Sequence, residues 1–227
     1  HYWRRDFFPQ YKSNRKKSRD ADSKDWNAIF EILNKIKAEI KNNLPYKFLE
    51  VYGAEADDII ATLCKFSQTE KDRSNNEKII IVSGDKDFIQ LQKYVNVKQY
   101  SPILKKYVDG HVPETYIKEH ILKGDTSDGV PNVLSPDNTF TDGLRQRPLG
   151  KKKIETWLDI DIDDLQDEVK RNYQRNEKLI DLSKIPNELE DEILTEFHGA
   201  PFGDRSKLLN YFIKSRLKNL TETIGEF

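Results

Sequence analysis

Apolar residues recur along the chain with two periods, and the alternation between them predicts the outline of a fold. Between Asp25 and Asn43 they fall at Trp26, Ile29, Phe30, Leu33, Ile36 and Ile40. That is one stripe at helical spacing, closed by Asn42, Asn43 and Pro45. Tyr46 to Tyr52 then reads as a short strand and Ala54 to Phe66 as an amphipathic helix. Lys78 to Ser83, with its run Ile79-Ile80-Ile81-Val82, reads as a buried strand. A β-α-β series of this kind predicts an α/β fold, a parallel sheet flanked by helices with functional groups gathered beyond the carboxyl ends of the strands.

Asn96 to Tyr100 and Lys105 to Val108 read as further strands around a turn at Ser101 and Pro102, and Pro113 to Leu122 as a helix with proline in its first turn. Asp128 to Pro148 has loop composition. Lys151 to Leu158 returns to helix, and the rest through Leu220 reads as helical with breaks at Pro186 and Gly199-Ala200-Pro201. The acidic run from Asp159 to Glu168 is expected to be a solvated helix face.

The 227 residues suffice for one large domain or one with an appended lobe, and 36% hydrophobic with 11% aromatic residues argue for a folded chain despite 34% charge. No apolar stretch approaches a membrane span and none resembles a signal segment, so a soluble protein that is not exported is expected; a cytoplasmic location and a monomeric state are expected alongside. Cys64 stands alone, which removes internal disulfides and thiolate metal sites. The net charge of −1 conceals blocks of opposite sign. Between His1 and Arg19 seven Lys or Arg accompany a single acid, Asp6, interleaved with Tyr2, Trp3, Phe7, Phe8 and Tyr11. A second basic run holds Arg145, Arg147, Lys151, Lys152 and Lys153. With no methionine in the sequence and His1 opening directly into the first of these runs, the chain reads as a fragment.

Three acidic clusters carry candidate chemistry. Glu55, Asp57 and Asp58 open the second predicted helix, Asp85 and Asp87 follow the isoleucine strand, and Asp125 and Asp128 follow Lys123-Gly124. Each alone has an ordinary explanation: helix capping for the first, strand-end and loop turns for the others. Converging in one crevice, the carboxylates would repel unless a cation neutralised them. Oxygen ligands without Cys or a local His favour Mg2+ or Mn2+. Two such ions about 3.5–4 Å apart are the usual machinery of phosphodiester hydrolysis. His111, His120 and His198 share no spacing and are assigned no chemistry.

Several segments together carry a family resemblance: Tyr2-Trp3-Arg4-Arg5-Asp6, Tyr52-Gly53-Ala54-Glu55-Ala56-Asp57-Asp58, and Ser83-Gly84-Asp85-Lys86-Asp87-Phe88. They are supported by Val97 to Pro102, Leu122 to Asp128 and the closing Glu226-Phe227. The sequence resembles the 5′ nuclease family that includes flap endonucleases and bacteriophage ribonuclease H, and the similarity spans nearly the whole chain. The resemblance implies a PIN-like nuclease domain over residues 1–122, lacking its first strands and their acidic residues, and a helix-hairpin-helix-like helical part over 123–227.

It also implies two Mg2+ ions, with Mn2+ able to substitute. Asp57 and Asp85 would hold one with Glu55 and Asp58 close by, and Asp87, Asp125 and Asp128 would serve the other. Asp57, Asp85, Arg4 and Lys12 would be catalytic. Arg4, Arg5, Tyr11, Lys12, Arg15 and Lys16 would form an arch around a single-stranded 5′ end, basic groups on phosphates and rings on bases. Arg145, Arg147, Gly150, Lys151 and Lys152 would grip duplex backbone, although the family's compact glycine hairpin is here a longer loop, Leu134 to Arg147.

The implied activity is 5′-to-3′ exonuclease and flap cleavage on DNA and RNA–DNA hybrid with a 5′ flap or nick, removing lagging-strand primers. A single-stranded-DNA-binding protein and a sliding clamp would be the partners. Two alternatives stay open: a module that binds branched DNA without cutting it, and a PIN-like ribonuclease.

Overall fold

The isoleucine run forms strand β1 (Ile79–Val82), paired in parallel with β2 (Val97–Ser101), which pairs antiparallel with β3 (Lys106–Val108). The order is β1-β2-β3, with Ile79 opposite Val97 and Val82 opposite Tyr100. Parallel neighbours need a crossover, and a 3-10 helix at Lys86–Lys93 supplies it. Its start is fixed locally, because the Asp85 carboxylate accepts from Asp87 N at 3.0 Å. The computed structural model describes residues 1–69 and 77–227.

The helices, in chain order, are α1 (Trp3–Phe7), α2 (Asn14–Asp20), α3 (Trp26–Asn43), α4 (Ala56–Thr69), α5 (Pro113–Lys123), α6 (Lys151–Leu158), α7 (Asp167–Ile180), α8 (Asn187–Gly199), α9 (Leu208–Lys214) and α10 (Lys218–Glu222). The predicted helices at 25–43, 54–66, 113–122 and 151–158 are all present within a few residues. Their ends follow from side-chain chemistry: Asp25 caps α3 through Ala28 N at 3.0 Å, and Pro113 occupies the first turn of α5, where no amide is needed.

Two compact units result: residues 1–20 with 51–193, and residues 21–50 with 194–227. In the first, Ile81 packs with Ala61, Cys64, Phe88, Val97 and Ile193. A second cluster joins Phe8, Tyr11, Ile121, Val130, Leu179 and Ile180, and a third Leu122, Val133, Ile154 and Val169. Polar residues of α7 bind the loop after α5. Asn176 Nδ2 donates to Ile121 O (2.8 Å) and Pro131 O (2.9 Å), Asn172 Nδ2 to Val133 O (3.0 Å), and Arg175 Nη2 to Pro131 O (2.8 Å). In the second unit, Phe212 is fully buried and meets Phe227 edge-on at 5.2 Å.

Three local expectations fail. Tyr46 to Tyr52 is not a strand; the nearby ladder contact is an isolated parallel bridge between Tyr2 and Gly53, and among the described residues no strand pairs with this segment. β1 is not buried on both faces: Ile81 is 5% exposed, but Ile80 and Val82 are 52% and 66% exposed, because side chains alternate across a strand and only one face packs here. The acidic run at 159–168 is a helix face only at its end: residues 159–166 form the connection from α6 to α7, with a short 3-10 turn at Ile162–Asp164, and Asp167 and Glu168 are exposed in the first turn of α7.

Candidate metal centre

The three acidic clusters meet in a cavity of about 490 Å3 in the first unit, lined by Asp57, Asp85, Asp87, Asp125, Asp128, Lys12, Arg15, Tyr116 and His120 among others. Asp57 sits in the first turn of α4. Asp85 and Asp87 follow β1, in a loop pinned from below by the buried side chain of Gln99 on β2, whose Nε2 donates to Ser83 O (2.9 Å) and Asp85 O (2.6 Å). Asp125 and Asp128 lie on a closed loop after α5. Val130 N returns to Asp125 O at 2.7 Å, and Asp125 Oδ1 accepts from Ser127 N (2.8 Å), Ser127 Oγ (2.7 Å) and Asp128 N (3.2 Å). Gly124 makes that loop possible: its φ is +68°, and a Cβ there would lie 2.4 Å from Val130 O.

Carboxylate oxygens of Asp57, Asp85 and Asp87 lie within 4.8 Å of one another, and so do ligand atoms of Asp87, His120 and Asp125. Asp87 belongs to both groups. Burial raises Asp57 to about 6, helped by Asp85 and Glu55 against Lys12 and Arg4. Burial likewise raises Asp87 to about 7, helped by Asp85, Asp125, Asp57 and Asp128. Acids this crowded hold protons near neutrality or take a multivalent cation, and the donor set of hard oxygens suits a divalent ion.

A cationic arm faces these acids. Lys12 adopts a left-handed backbone with φ 55°, and its amide donates to Asp128 O at 2.7 Å. The buried Lys12 ammonium bonds Glu55 and stands 3.4 Å from Asp128 Oδ2. Tyr11 Oη lies 2.8 Å from Glu55 Oε2 and 2.9 Å from Asp128 Oδ2, and Arg15 Nη2 donates to Asp128 Oδ1 at 2.5 Å. Burial would raise the Glu55 pKa, but the Lys12 bond and charge, the Tyr11 hydroxyl and the Arg4 charge outweigh it and lower it. Arg5 supports the turn, its Nε donating to Tyr11 O at 3.0 Å, and Lys16 is exposed on α2.

Two expected site residues are instead engaged with each other away from the cavity. Asp58 is 0% exposed and accepts from Arg4 Nη2 (2.8 Å), Arg4 Nη1 (3.0 Å), Trp3 Nε1 (3.2 Å) and Glu55 N (2.9 Å). Arg4 also donates to Leu179 O at 2.8 Å, tying α1 to α7. Neither residue is among those that line the acidic cavity, and Asp58 is shut off from solvent, so the structure places the two as a buried ion pair rather than at the cavity.

The second basic run lies elsewhere in the same unit. Lys123, Asn132, Arg145, Gln146, Arg147, Pro148, Leu149 and Ile154 line an open cavity of about 690 Å3. Gly150, Lys151 and Lys152 are exposed at the start of α6. The long loop is clamped at its base, where Asn132 N donates to Gln146 Oε1 (2.7 Å) and Asn132 Nδ2 to Arg147 O (2.8 Å). Arg147 Nη1 reaches Glu168 at 3.4 Å, an exposed pair of little energetic weight.

Residues 1–121 match the family model of the 5′-3′ exonuclease N-terminal resolvase-like domain, and residues 111–227 that of the T4 RNase H C-terminal region. The chain is 37% identical over 234 residues to the ribonuclease H of Enterobacteria phage T4, covering all of this chain and 75% of that protein. The chain belongs to the 5′-3′ exonuclease family.

A 5′-3′ exonuclease of Buchnera aphidicola (subsp. Schizaphis graminum) is 34% identical over 140 residues, 58% of this chain and 44% of that protein. Solved structures of similar fold include a T5 phage protein co-crystallised with metal ions, with TM-score 0.63 and 19% identity over 86% of this chain and 80% of that one. A T5 flap endonuclease in complex with DNA and metal ions has TM-score 0.60 and 16% identity over 86% and 78% of the two chains.

As a member, this chain is a nuclease of the 5′-3′ exonuclease and flap endonuclease type. In the nuclease, Asp57, Asp85, Asp87, Asp125 and Asp128 come together with Lys12 and Arg15, whereas Arg145 and Arg147 line the other cavity and Lys151 to Lys153 are exposed on α6. His120 and Tyr116, assigned no role from the sequence, line the acidic cavity. Their signal was the i, i+4 spacing that places both on the face of α5 leading into the Asp125 loop.

Proposed function

We propose that this nuclease hydrolyses phosphodiesters at 5′ ends, flaps and nicks in DNA and RNA–DNA hybrid, and that it uses two divalent cations, Mg2+ with Mn2+ as a substitute. The single observation carrying this is the sharing of Asp87 between two adjacent ligand groups, Asp57-Asp85-Asp87 and Asp87-His120-Asp125. Asp57, Asp85, Asp87 and Asp125 would hold the ions. Bound there, the ions supply charge neutralisation and activation of water for in-line attack.

The chain's own groups do the rest. Lys12 and Arg15, already beside Glu55 and Asp128, would meet the scissile phosphate at the cavity rim. Asp128 and Glu55 hold that arm in place, a preorganised cation that need not move far when charge develops. Arg145, Arg147 and the exposed N-terminus of α6 would take the backbone of the flanking duplex. Such contacts fix register without reading bases.

In this reading residues 1–122 carry the nuclease part and 123–227 the helical part. That is a division along the sequence; the two compact units divide the chain in space. Primer removal during lagging-strand synthesis, action as a monomer in the cytoplasm, and work beside a single-stranded-DNA-binding protein and a sliding clamp complete the proposal. Among the described residues no helix is long and apolar enough to cross a membrane.

Incubating a labelled 5′-flap duplex with Mg2+ tests it. Short products released from the 5′ end support the proposal. Binding without products indicates a non-cleaving branched-DNA module, and cleavage of single-stranded RNA alone indicates a PIN-like ribonuclease.

A further inference from the structure

One side chain in the acidic cavity is left over by an all-carboxylate account. His120, on the last turns of α5, places Nδ1 3.4 Å from Asp87 Oδ1 and Nε2 3.8 Å from Asp125 Oδ2. Its Nδ1 is shut off from solvent and has no hydrogen-bond partner. A buried polar atom left without a partner is unfavourable, and this one faces the Asp87 carboxylate.

The ring is also held in place. Tyr116, one helical turn earlier, packs edge-on against it with centroids 5.8 Å apart and planes at 64°. Around a divalent ion with bonds of about 2.1 Å, neighbouring ligand atoms are separated by about 3 Å and opposite ones by about 4.2 Å. Counting one ligand atom from each residue, His120, Asp87 and Asp125 lie within 4.8 Å of one another, close enough for a small side-chain adjustment to close them around one ion. An ordinary His–Asp ion pair fits less well, because it would give Nδ1 a hydrogen bond that it lacks.

We propose that His120 is a nitrogen ligand of the ion held by Asp87 and Asp125, and that it tilts this position towards first-row transition ions such as Mn2+ over Mg2+. Imidazole is a softer donor than carboxylate, and Mg2+ prefers oxygen. The site is therefore of mixed character: Asp57, Asp85 and Asp87 offer oxygen alone, whereas the neighbouring group offers oxygen and nitrogen. This inference rests on the metal-dependent reading above and adds the identity of one ligand and a metal preference.

Pulsed EPR on the Mn2+-loaded 227-residue chain reads nitrogen coordination directly, without reference to activity. The wild type is expected to show 14N modulation from a directly bound imidazole. H120A and H120Q are expected to lose it, with Mn2+ affinity by calorimetric titration falling at least about tenfold and Mg2+ affinity changing less than threefold. D57N should weaken Mn2+ binding while keeping the nitrogen signal. Circular dichroism establishes that each variant is folded, and agreement between the two His120 variants guards against a cavity artefact.

If Mn2+ binds but the nitrogen modulation is missing, or persists in both His120 variants, the His120 assignment is overturned and the carboxylate site stands. If the wild type binds no Mn2+ at all, the metal reading falls and this inference falls with it.

Discussion

Replacing Asp87 with asparagine should stabilise the metal-free nuclease at pH 8. Asp87 is pushed up to about 7 from an ordinary 3.8, first by burial and then by Asp85, Asp125, Asp57 and Asp128. Because the shift is upward, ionisation penalises the native state. Below about pH 4 the carboxyl is protonated in both folded and unfolded chains and the penalty is absent. Between about pH 4 and about pH 7 the unfolded chain alone releases its proton, and stability falls with rising pH until both states are ionised.

A difference of roughly 3 units at about 1.4 kcal/mol each sets a ceiling of ~4 kcal/mol. The repulsion is shared among several carboxylates, so ~2–4 kcal/mol is the expected gain for D87N, or roughly 5–15 °C in melting temperature for a chain of this size. Thermal unfolding in chelator at pH 8 and at pH 4 measures it. The gain should be present at pH 8 and nearly vanish at pH 4. Adding Mn2+ should raise the wild-type melting temperature by linkage and leave D87N nearly unchanged. A D87N protein no more stable than wild type at pH 8, or equally stabilised at both pH values, would refute the argument that Asp87 is crowded by like charge.

Other consequences follow from the same geometry. Arg4→Ala leaves Asp58 buried and unpaired, so urea denaturation should show a loss of about 3–5 kcal/mol, and adding Asp58→Ala should cost less than the sum of the single changes. Gly124→Ala drives a Cβ against Val130 O; it should reduce Mn2+ affinity at least about tenfold by displacing the Asp125 loop, and unchanged binding would show that the loop tolerates the shift. Removing both Arg145 and Arg147 should weaken duplex binding about equally for all sequences and lower the slope of log affinity against log salt by about 2, measured by fluorescence anisotropy.

Most of the sheet and helices were legible because each is written in a local period: the stripe of α3, the isoleucines of β1, the proline opening α5. The acidic clusters were legible for the same reason, since each sits within a few residues of a strand end, helix start or turn. Which acid faces the cavity was not. Asp57 and Asp58 are neighbours on α4, and adjacent helix positions point about 100° apart, so one lines the cavity while the other is buried against Arg4. Choosing between them requires knowing where α1 packs, which is a tertiary fact.

His120 was illegible for a related reason. Its meeting with Asp87 depends on α5 lying against the 3-10 helix that follows β1, and nothing in the local spacing of histidines reports that contact. The exposed face of β1 shows the complementary error. Four consecutive apolar residues suggested burial on both sides, yet only Ile81 is buried, because apolar content does not by itself say which face is covered.

The most direct measurement is an anomalous-scattering map from crystals of the nuclease grown with Mn2+. The account predicts density between Asp57, Asp85 and Asp87, and between Asp87 and Asp125, within about 2–2.5 Å of their carboxylate oxygens. Manganese bound only at other surfaces, with these four carboxylates turned away from one another and no ion among them, would contradict it.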